Sequence, residues 1–333
     1  TSATIGIKVP CVKITRMQEA FVNIADIPTH IVTWGKWIEE SLGDTKEIVL
    51  CITGNPGTPG YYKKFASTIH ANLDQNIPVW LIGHAGHDNP LETSIRKVPP
   101  LSGNEDKYNL QGQIRHKVDF IQKYIPENIK IHLVGHSIGA WTILQLLKQP
   151  AIKRRVQKCY LLFPTFERMQ ETRDGWLFTH LCAPFITFYL FLLRFFIMLP
   201  VPIRIFLIYI YFWVFSIPKY FAGTTLKYLT APVIEKVVFL ANDEMAVVKE
   251  LEADTISNNI DLLKLYYGTR DGWVPVKYYK EIKERFPKID ATLDDKGIYH
   301  AFVLRSSEEM GLVVADWVKE NSVTTQLNSV IRN

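Results

Sequence analysis

Residues 129–148 read IKIHLVGHSIGAWTILQLLK, and this stretch decides the fold. Its first six residues form the apolar run of a buried strand, and its last nine have the composition of a helix. The turn between them, GHSIG at 135–139, matches G-x-S-x-G in the strand–turn–helix context that a nucleophile elbow requires. Glycines are needed there because a Cβ beside the strained serine would clash. We therefore predict Ser137 as a nucleophile, the alternative being an ordinary turn with an N-capping serine.

Strand patterns alternate with helical patterns along most of the chain. Strand-like runs occupy residues 29–35, 48–53, 78–83, 129–134, 157–163, 262–267 and 289–293. Helical periodicity marks residues 61–73, 109–124, 140–148 and 276–286, and a closing helix with its apolar face at 310–318. This alternation predicts an α/β protein with a mostly parallel central sheet flanked by helices.

The alternation breaks between residues 166 and 259. We expect this segment to be a cap inserted over the carboxyl edge of the sheet, where such folds place their active sites. Residues 1–165 and 260–333 then form the core. Within the cap, residues 181–217 carry only two charged side chains, Arg194 and Arg204, and predict a hydrophobic helical hairpin.

A serine nucleophile needs a base and an acid that orients the base. In this fold the chain order is serine, acid, histidine, so both partners of Ser137 should follow it in the sequence. His300 lies between the last strand pattern and the closing helix, and no other histidine follows Asp271. Asp271 itself follows a strand pattern, in the turn GTRDG at 268–272. We predict His300 as the base and Asp271 as the acid that orients it.

Two other carboxylates compete with Asp271 for the role of acid. Glu167 lies just past the strand pattern at 157–163, and some proteins of this fold take their acid from that strand. Asp243 is the weaker competitor, because residues 233–251 look helical rather than strand-like.

An oxyanion hole requires one N–H from the residue after the nucleophile and a second from the loop after an early strand. Ile138 supplies the first. The loop GNPG at 54–57 directly follows an apolar strand pattern, and Pro56 has no N–H. We therefore predict Asn55 as the second donor, with Gly57 as a helper, against the alternative of a plain Gly/Pro turn.

Metal and cofactor chemistry are not required by this arrangement. His84, His87 and Asp88 lie close together in GHAGHD at 83–88, but a third ligand besides the two histidines is not apparent. We interpret this stretch as a hydrogen-bonded loop beside the active site and predict neither a metal nor a cofactor.

The composition excludes some classes of protein. The formal charge is +5 over 333 residues without a dense Lys/Arg cluster, so we expect no nucleic-acid partner. The four cysteines, at positions 11, 51, 159 and 182, show no metal-binding spacing, and Cys51 and Cys159 lie in apolar strand patterns. We expect free thiols and a reducing compartment.

Several longer motifs resemble the lipid droplet-associated serine hydrolase family of the α/β-hydrolase superfamily, from about residue 48 to residue 317. They are GNPG at 54–57 with Tyr62, HAGH at 84–87, GQI at 112–114 with HK at 116–117, GHSIG at 135–139, LLFPT at 161–165, ERM at 167–169, YYGT at 266–269 with Asp271, Trp273 and Pro275, and HAF at 300–302. The resemblance implies an α/β-hydrolase fold with a triad of Ser137, Asp271 and His300. It also implies lipid esters as substrates, sterol esters among them, and residence on lipid droplets and the endoplasmic reticulum.

The apolar segment 181–217 decides how the protein meets a lipid surface. Its halves, 181–199 and 203–217, are borderline and short for crossing a bilayer, and the PVP sequence at 200–202 should break a continuous helix. Both ends must join one sheet, so both lie on the same side of any membrane. We expect this to be the cytosolic side. We predict a hairpin inserted into one leaflet or a droplet monolayer. Two spanning helices, or a buried lid over an acyl pocket, are the alternatives.

The sequence leaves a second class of function open. A protein with this core could work at the droplet surface by binding lipid or protein partners, with little turnover. The identity of any protein partner stays open.

Overall fold

The computed structural model describes residues 16–90 and 94–323. Eight strands in these ranges form one sheet. In chain order they are β1 Met17–Ile24, β2 Ile27–Trp34, β3 Glu47–Ile52, β4 Val79–Ile82, β5 Lys130–His136, β6 Val156–Leu162, β7 Leu263–Tyr267 and β8 Asp290–Leu293.

The sheet order is β1-β2-β4-β3-β5-β6-β7-β8. β1 pairs antiparallel with β2, and β2 antiparallel with β4, whereas the other five pairings are parallel. Parallel strands end at the same edge, so the loops that follow β3, β5, β6 and β7 meet there. This shared edge brings chemically useful residues from distant parts of the chain together.

Thirteen α-helices lie in the described residues. They are α1 Lys63–Asn72, α2 Glu105–Tyr108, α3 Leu110–Tyr124, α4 Ile138–Leu147, α5 Pro150–Lys153, α6 Arg173–Leu177, α7 Ile186–Met198, α8 Val201–Val214, α9 Ala222–Tyr228, α10 Ala231–Val247, α11 Ala253–Ser257, α12 Val276–Arg285 and α13 Ser307–Asn321.

Two apolar cores lie on the two faces of the sheet. Alternate side chains of β3 point to opposite faces: Ile48 and Leu50 join one core, and Val49 and Cys51 join the other. The first core includes buried side chains of α3 and α4, and the second includes those of α1 and α13. Burial on both faces explains why the central strands are almost wholly apolar.

The α/β class and each strand and helix range expected for the core are confirmed, with bounds that differ by a few residues. The strand missed by the sequence patterns is β1, whose side chains are mostly exposed or half-buried. β1 is an edge strand that pairs only with β2, so it lacks the continuous apolar run of the central strands.

Between β6 and β7 the chain forms six helices, α6 to α11. α7 ends at Met198 and α8 begins at Val201, so the helix breaks at Pro200 as the sequence predicts. Of the described residues, the helical run Arg173–Met198 is long and apolar enough to cross a membrane by length and composition, and its apolar window is not buried.

Three cysteines in the described residues are free thiols, as expected from the sequence. Cys51 and Cys159 are buried in β3 and β6, and Cys182 is exposed. Cys11 lies outside the described residues.

Candidate active site

Ser137 occupies a strained turn between β5 and α4. Its backbone has φ 53° and ψ −123°, and its side chain makes no capping hydrogen bond, which contradicts the N-cap alternative. The surroundings require glycine on both sides of the turn. A Cβ on Gly135 would lie 2.6 Å from the Gly139 carbonyl oxygen, and one on Gly139 would lie 2.6 Å from the carbonyl oxygen of Ile52. The turn therefore has the geometry of a nucleophile elbow.

A chain of hydrogen bonds joins the three residues predicted as a triad. Ser137 Oγ lies 2.9 Å from His300 Nε2, and His300 Nδ1 lies 2.7 Å from Asp271 Oδ2. The fully buried Asp271 side chain accepts two backbone N–H groups at Oδ1, from Trp273 at 2.8 Å and from Val274 at 2.9 Å. An ionised Asp271 is an acceptor only, so His300 Nδ1–H donates to it and Nε2 is left to accept from the serine hydroxyl.

The competing carboxylates are engaged elsewhere. Glu167 accepts hydrogen bonds from Arg168 Nε at 3.0 Å and Nη2 at 2.6 Å. Asp243 accepts from the backbone N–H of the first residue of α3 at 2.7 Å. The structure therefore places Asp271 against His300 and directs Glu167 toward an arginine.

The two residues predicted as oxyanion donors flank Ser137. Ile138 is the first residue of α4, so its N–H has no partner within the helix. The loop at 54–57 passes close to the nucleophile, because a Cβ on Gly54 would lie 3.0 Å from Ser137 Cβ. Asn55 lines the same cavity as His300.

Gly57 does not help the oxyanion hole. Its N–H donates to His87 Nδ1 at 3.0 Å, which corrects the expectation of a helper donor. Polar contacts anchor the neighbouring loop: His84 Nδ1 lies 3.4 Å from Lys117 Nζ, and Asp88 pairs with a histidine of β2 at 2.7 Å. The Nε2 atoms of His84 and His87 are buried and have no hydrogen-bond partner among the described residues. Within the described residues, no three His, Cys, Asp or Glu side chains are grouped to hold a metal.

His136 links the loop at 54–57, through Tyr62, to the loop that carries His300. The Gly54 N–H donates to the Tyr62 hydroxyl at 2.8 Å, and that hydroxyl lies 2.7 Å from His136 Nδ1. His136 Nε2 lies 2.9 Å from the backbone oxygen of His300. Burial, with the nearby His300, holds the pKa of His136 well below its usual range, so the ring is neutral. The hydroxyl thus donates to Nδ1, and Nε2–H donates to His300.

The sequence predicts only a packing role for the His136 side chain and no role for Tyr62. The only signal for Tyr62 was its place beside the GNPG motif. Thr165 was also missed; it follows β6, is buried, and places its hydroxyl 3.4 Å from Ser137 Oγ.

An apolar cavity of about 620 Å³ opens beside the site. Asn55 and His300 are among its lining residues, and the helices between β6 and β7 supply aromatic and aliphatic walls, including Phe196 of α7, Phe212 of α8 and Tyr228 of α9. A cavity of this size with few polar groups suits a hydrophobic ligand.

The outer faces of α7 and α8 are also apolar. Large hydrophobic side chains exposed along them include Phe188, Phe195, Phe206 and Trp213, the last with 81% of its surface accessible. A contiguous exposed apolar surface of this kind marks a site of interaction with another apolar surface.

Most of the chain is similar to known proteins. Residues 45–303 match the family model described as lipid-droplet associated hydrolase. Lipid droplet-associated hydrolase of Drosophila melanogaster is 58% identical, covering 92% of this chain and 99% of its own length. The Homo sapiens protein of that name is 33% identical, covering 92% and 96%.

Solved structures show the fold. A putative lipase from Acinetobacter baumannii has a TM-score of 0.62 at 14% identity, covering 92% of this chain and 93% of its own. A serine hydrolase from Cycloclasticus zankles has a TM-score of 0.57 at 14% identity, covering 92% and 100%. The fold is that of the α/β-hydrolases, and the chain belongs to the lipid droplet-associated hydrolase family.

Proposed function

We propose that this hydrolase cleaves lipid esters by a Ser–His–Asp acyl-enzyme mechanism. The observation that carries the proposal is the hydrogen-bonded chain from Ser137 through His300 to Asp271, whose central histidine lines an apolar cavity of about 620 Å³. A polar catalytic group facing an apolar cavity fits a substrate with an ester bond and long hydrocarbon groups.

Acylation begins when Ser137 Oγ attacks the ester carbonyl carbon while His300 Nε2 takes the hydroxyl proton. Asp271 stabilises the resulting imidazolium through the 2.7 Å contact at Nδ1. The tetrahedral intermediate collapses as the C–O bond to the alcohol breaks. His300 gives its proton to the departing alkoxide, which leaves as the alcohol with the acyl group on Ser137.

Deacylation repeats these steps with water as the nucleophile. His300 takes a proton from water, the hydroxide adds to the acyl carbonyl, and the Ser137 oxygen leaves and is reprotonated. The N–H groups of Ile138 and Asn55 stabilise the oxyanion in both halves. The balance is one ester and one water consumed for one acid and one alcohol, and the cycle uses no cofactor.

We further propose that residues 166–259 form a cap on a core made of residues 1–165 and 260–333. The cap supplies the apolar cavity walls and the exposed apolar faces of α7 and α8. Residues 181–217 then hold the enzyme on the droplet monolayer and on the endoplasmic reticulum, from the cytosolic side. In this proposal α8 is both a lid over the acyl cavity and a part of the lipid-inserted segment, because one of its faces lines the cavity and the other is exposed.

A panel of esters tests the proposal. Purified protein is assayed against sterol esters, triacylglycerols and short-chain soluble esters, with Ser137→Ala as the control, and labelled with a fluorophosphonate probe. We expect labelling and hydrolysis by the native protein, with sterol esters first among the lipid classes to test. The alanine variant and heat-denatured protein should show neither.

Equal labelling of the Ser137→Ala variant would refute the serine mechanism. A native protein that binds the lipid esters without hydrolysing any of them would favour the alternative function of lipid binding at the droplet surface.

A further inference from the structure

The side chain of Asn55 is held by hydrogen bonds to a helix that follows far along the chain, α10. Its Nδ2 group donates to the backbone oxygen of Val237 at 3.1 Å and to Glu244 Oε1 at 3.0 Å. Val237 and Glu244 both belong to α10. The loop at 54–57 is therefore tied to α10 as well as to the strand that precedes it.

Glu244 is an unusual partner for this contact. Its side chain is almost completely buried, and the described residues place only the Asn55 amide in hydrogen-bond contact with it. Burial, with Asp243 nearby, raises the pKa of Glu244 to about 8, so near neutral pH its carboxyl group is mostly protonated. A protonated carboxyl group offers one acceptor and one O–H donor.

In the described part of the chain, the Asn55 side chain lacks a hydrogen-bond donor for its oxygen atom. Its Oδ1 atom is buried and has no hydrogen-bond partner among the described residues. A neutral carboxyl group can accept from Nδ2 and donate to Oδ1, and so satisfy both ends of the amide. An ionised carboxylate could only accept, which would leave the buried Oδ1 atom of Asn55 without a donor.

This pairing bears on the oxyanion hole. In the loop at 54–57, Pro56 has no N–H and the N–H of Gly57 is committed to His87. The Asn55 N–H is thus the donor in this loop that remains for a substrate oxygen. Its direction depends on how the Asn55 residue is held.

We propose that Glu244 is a positioning residue, which holds the Asn55 side chain from α10 and thereby aims the Asn55 N–H at the oxyanion. The inference rests on the proposed ester hydrolysis. It assigns α10 a part in transition-state stabilisation.

Three variants test this role, with a short-chain soluble ester as the substrate. Glu244→Gln keeps one acceptor and a donor, so kcat should stay within about threefold of the native value. Glu244→Leu keeps the volume and removes both hydrogen bonds, so kcat should fall about 10- to 100-fold with KM little changed. The control is Asp243→Ala on the same helix, which removes a contact to α3 and should leave kcat near native.

A double-mutant cycle keeps the test decisive if Glu244→Leu is poorly folded. Asn55→Ala removes the side chain that Glu244 holds but leaves the backbone N–H. Glu244→Ala also removes both hydrogen bonds, with a smaller side chain than leucine, and should by itself lower kcat as Glu244→Leu does. If Glu244 acts through Asn55, then Asn55→Ala with Glu244→Ala should be no slower than Asn55→Ala alone, and thermal unfolding should show these variants to be folded.

Native kcat in folded Glu244→Leu or Glu244→Ala, or losses that multiply in the Asn55→Ala and Glu244→Ala pair, would overturn the positioning role. Ser137→Ala is measured beside them. Activity retained by that variant would contradict the proposed hydrolysis itself, so the two failures are distinguishable.

Discussion

Ser137 shows how backbone strain and chemistry are joined at one residue. Its positive φ places a non-glycine residue in a region that costs of the order of 1–3 kcal/mol. Gly135 and Gly139 lie on either side of it, and a Cβ on either glycine would collide with neighbouring atoms. β5 and α4 hold the two ends of the turn. The strained turn presents Oγ to His300 at 2.9 Å.

The choice of acid gives a prediction at this scale. Asp271→Asn should lower kcat about 10³- to 10⁴-fold, because an amide cannot compensate the imidazolium charge and can favour the wrong tautomer of His300. Glu167→Gln is the matched control and should change kcat less than about threefold, because Glu167 pairs with Arg168 instead. Steady-state hydrolysis of a soluble ester measures both, and a larger loss for Glu167→Gln would move the acid to that residue.

A second prediction concerns the relay of hydrogen bonds from Gly54 through the Tyr62 hydroxyl to His136. Tyr62→Phe leaves the Gly54 N–H and His136 Nδ1 without their hydroxyl partner in a buried site. We expect the free energy of unfolding to fall by about 1–3 kcal/mol, with lower turnover because both loops beside Ser137 loosen. Urea unfolding with an unchanged m-value measures the first effect.

Tyr61→Phe is the neighbouring control. The Tyr61 hydroxyl contacts Thr225 rather than the elbow, at 3.0 Å. Equal losses of turnover in the two variants would argue against a specific relay.

At the scale of elements, α8 has two functional faces. Ile208 and Phe212 are buried and line the cavity, whereas Phe206 and Trp213 are exposed on the outside. A helix that is apolar all round is typical of a place between two apolar environments. Here one environment is the cavity, and we propose that the other is lipid.

Substitutions on the two faces should separate binding from hydrolysis. Trp213→Glu and Phe206→Glu should each lower partition onto neutral-lipid emulsions about 30-fold or more, because burying a large apolar side chain is worth about 2 kcal/mol. Hydrolysis of a soluble short-chain ester should stay near native. Flotation with the emulsion measures partition.

The inward face provides the contrast. Phe212→Ala should lower hydrolysis of long-chain esters while leaving partition near native, because Phe212 lines the cavity. If the outward variants bind the emulsion as the native protein does, the exposed face does not meet lipid.

Two further helices between β6 and β7 contact the loops that carry Asp271 and Asn55. α6 contacts the acid loop, where the Asp174 N–H donates to the Gly272 backbone oxygen at 3.1 Å. α10 contacts the oxyanion loop through Asn55. Changes in the helices between β6 and β7 are therefore expected to reach the chemistry as well as the substrate cavity.

For the whole molecule, the prediction concerns location. Residues 181–217 fused to a fluorescent protein should carry it to lipid droplets, and the full-length protein should stay on droplets in about 1 M salt, since apolar burial is not screened. Imaging and flotation measure these outcomes. A fusion that stays cytosolic with droplets present, together with cytosolic full-length protein, would contradict lipid insertion and leave the hydrolase proposal untouched.

Deletion of residues 181–217 should have a second effect. α8 contributes Ile208 and Phe212 to a small apolar cluster with Phe221 and Ala222, beside the cavity. The sheet should still fold because its two apolar cores lie outside the deleted segment, but the cavity should open and hydrolysis of lipid esters should fall.

The sequence alone determined the features that depend on local pattern. Apolar runs and helical spacing placed the core strands and helices, and GHSIG at 135–139 between a strand and a helix identified the turn at Ser137. The order of Ser137, Asp271 and His300 along the chain then predicted which residues the structure brings together. These signals are readable because strand and helix periodicity and the glycine requirement act within a few residues.

Tertiary structure decided what depends on residues far apart in the chain. Asp271 and Glu167 both follow strands that end at one edge of the sheet, so chain order alone does not show which carboxylate contacts His300. The loop geometry places Asp271 against His300 and Glu167 against Arg168. The contacts that hold the oxyanion loop join residue 55 to residues 182 and 189 positions later. No local pattern encodes such contacts, because they arise from how packed elements meet and from which buried polar atoms must find a partner.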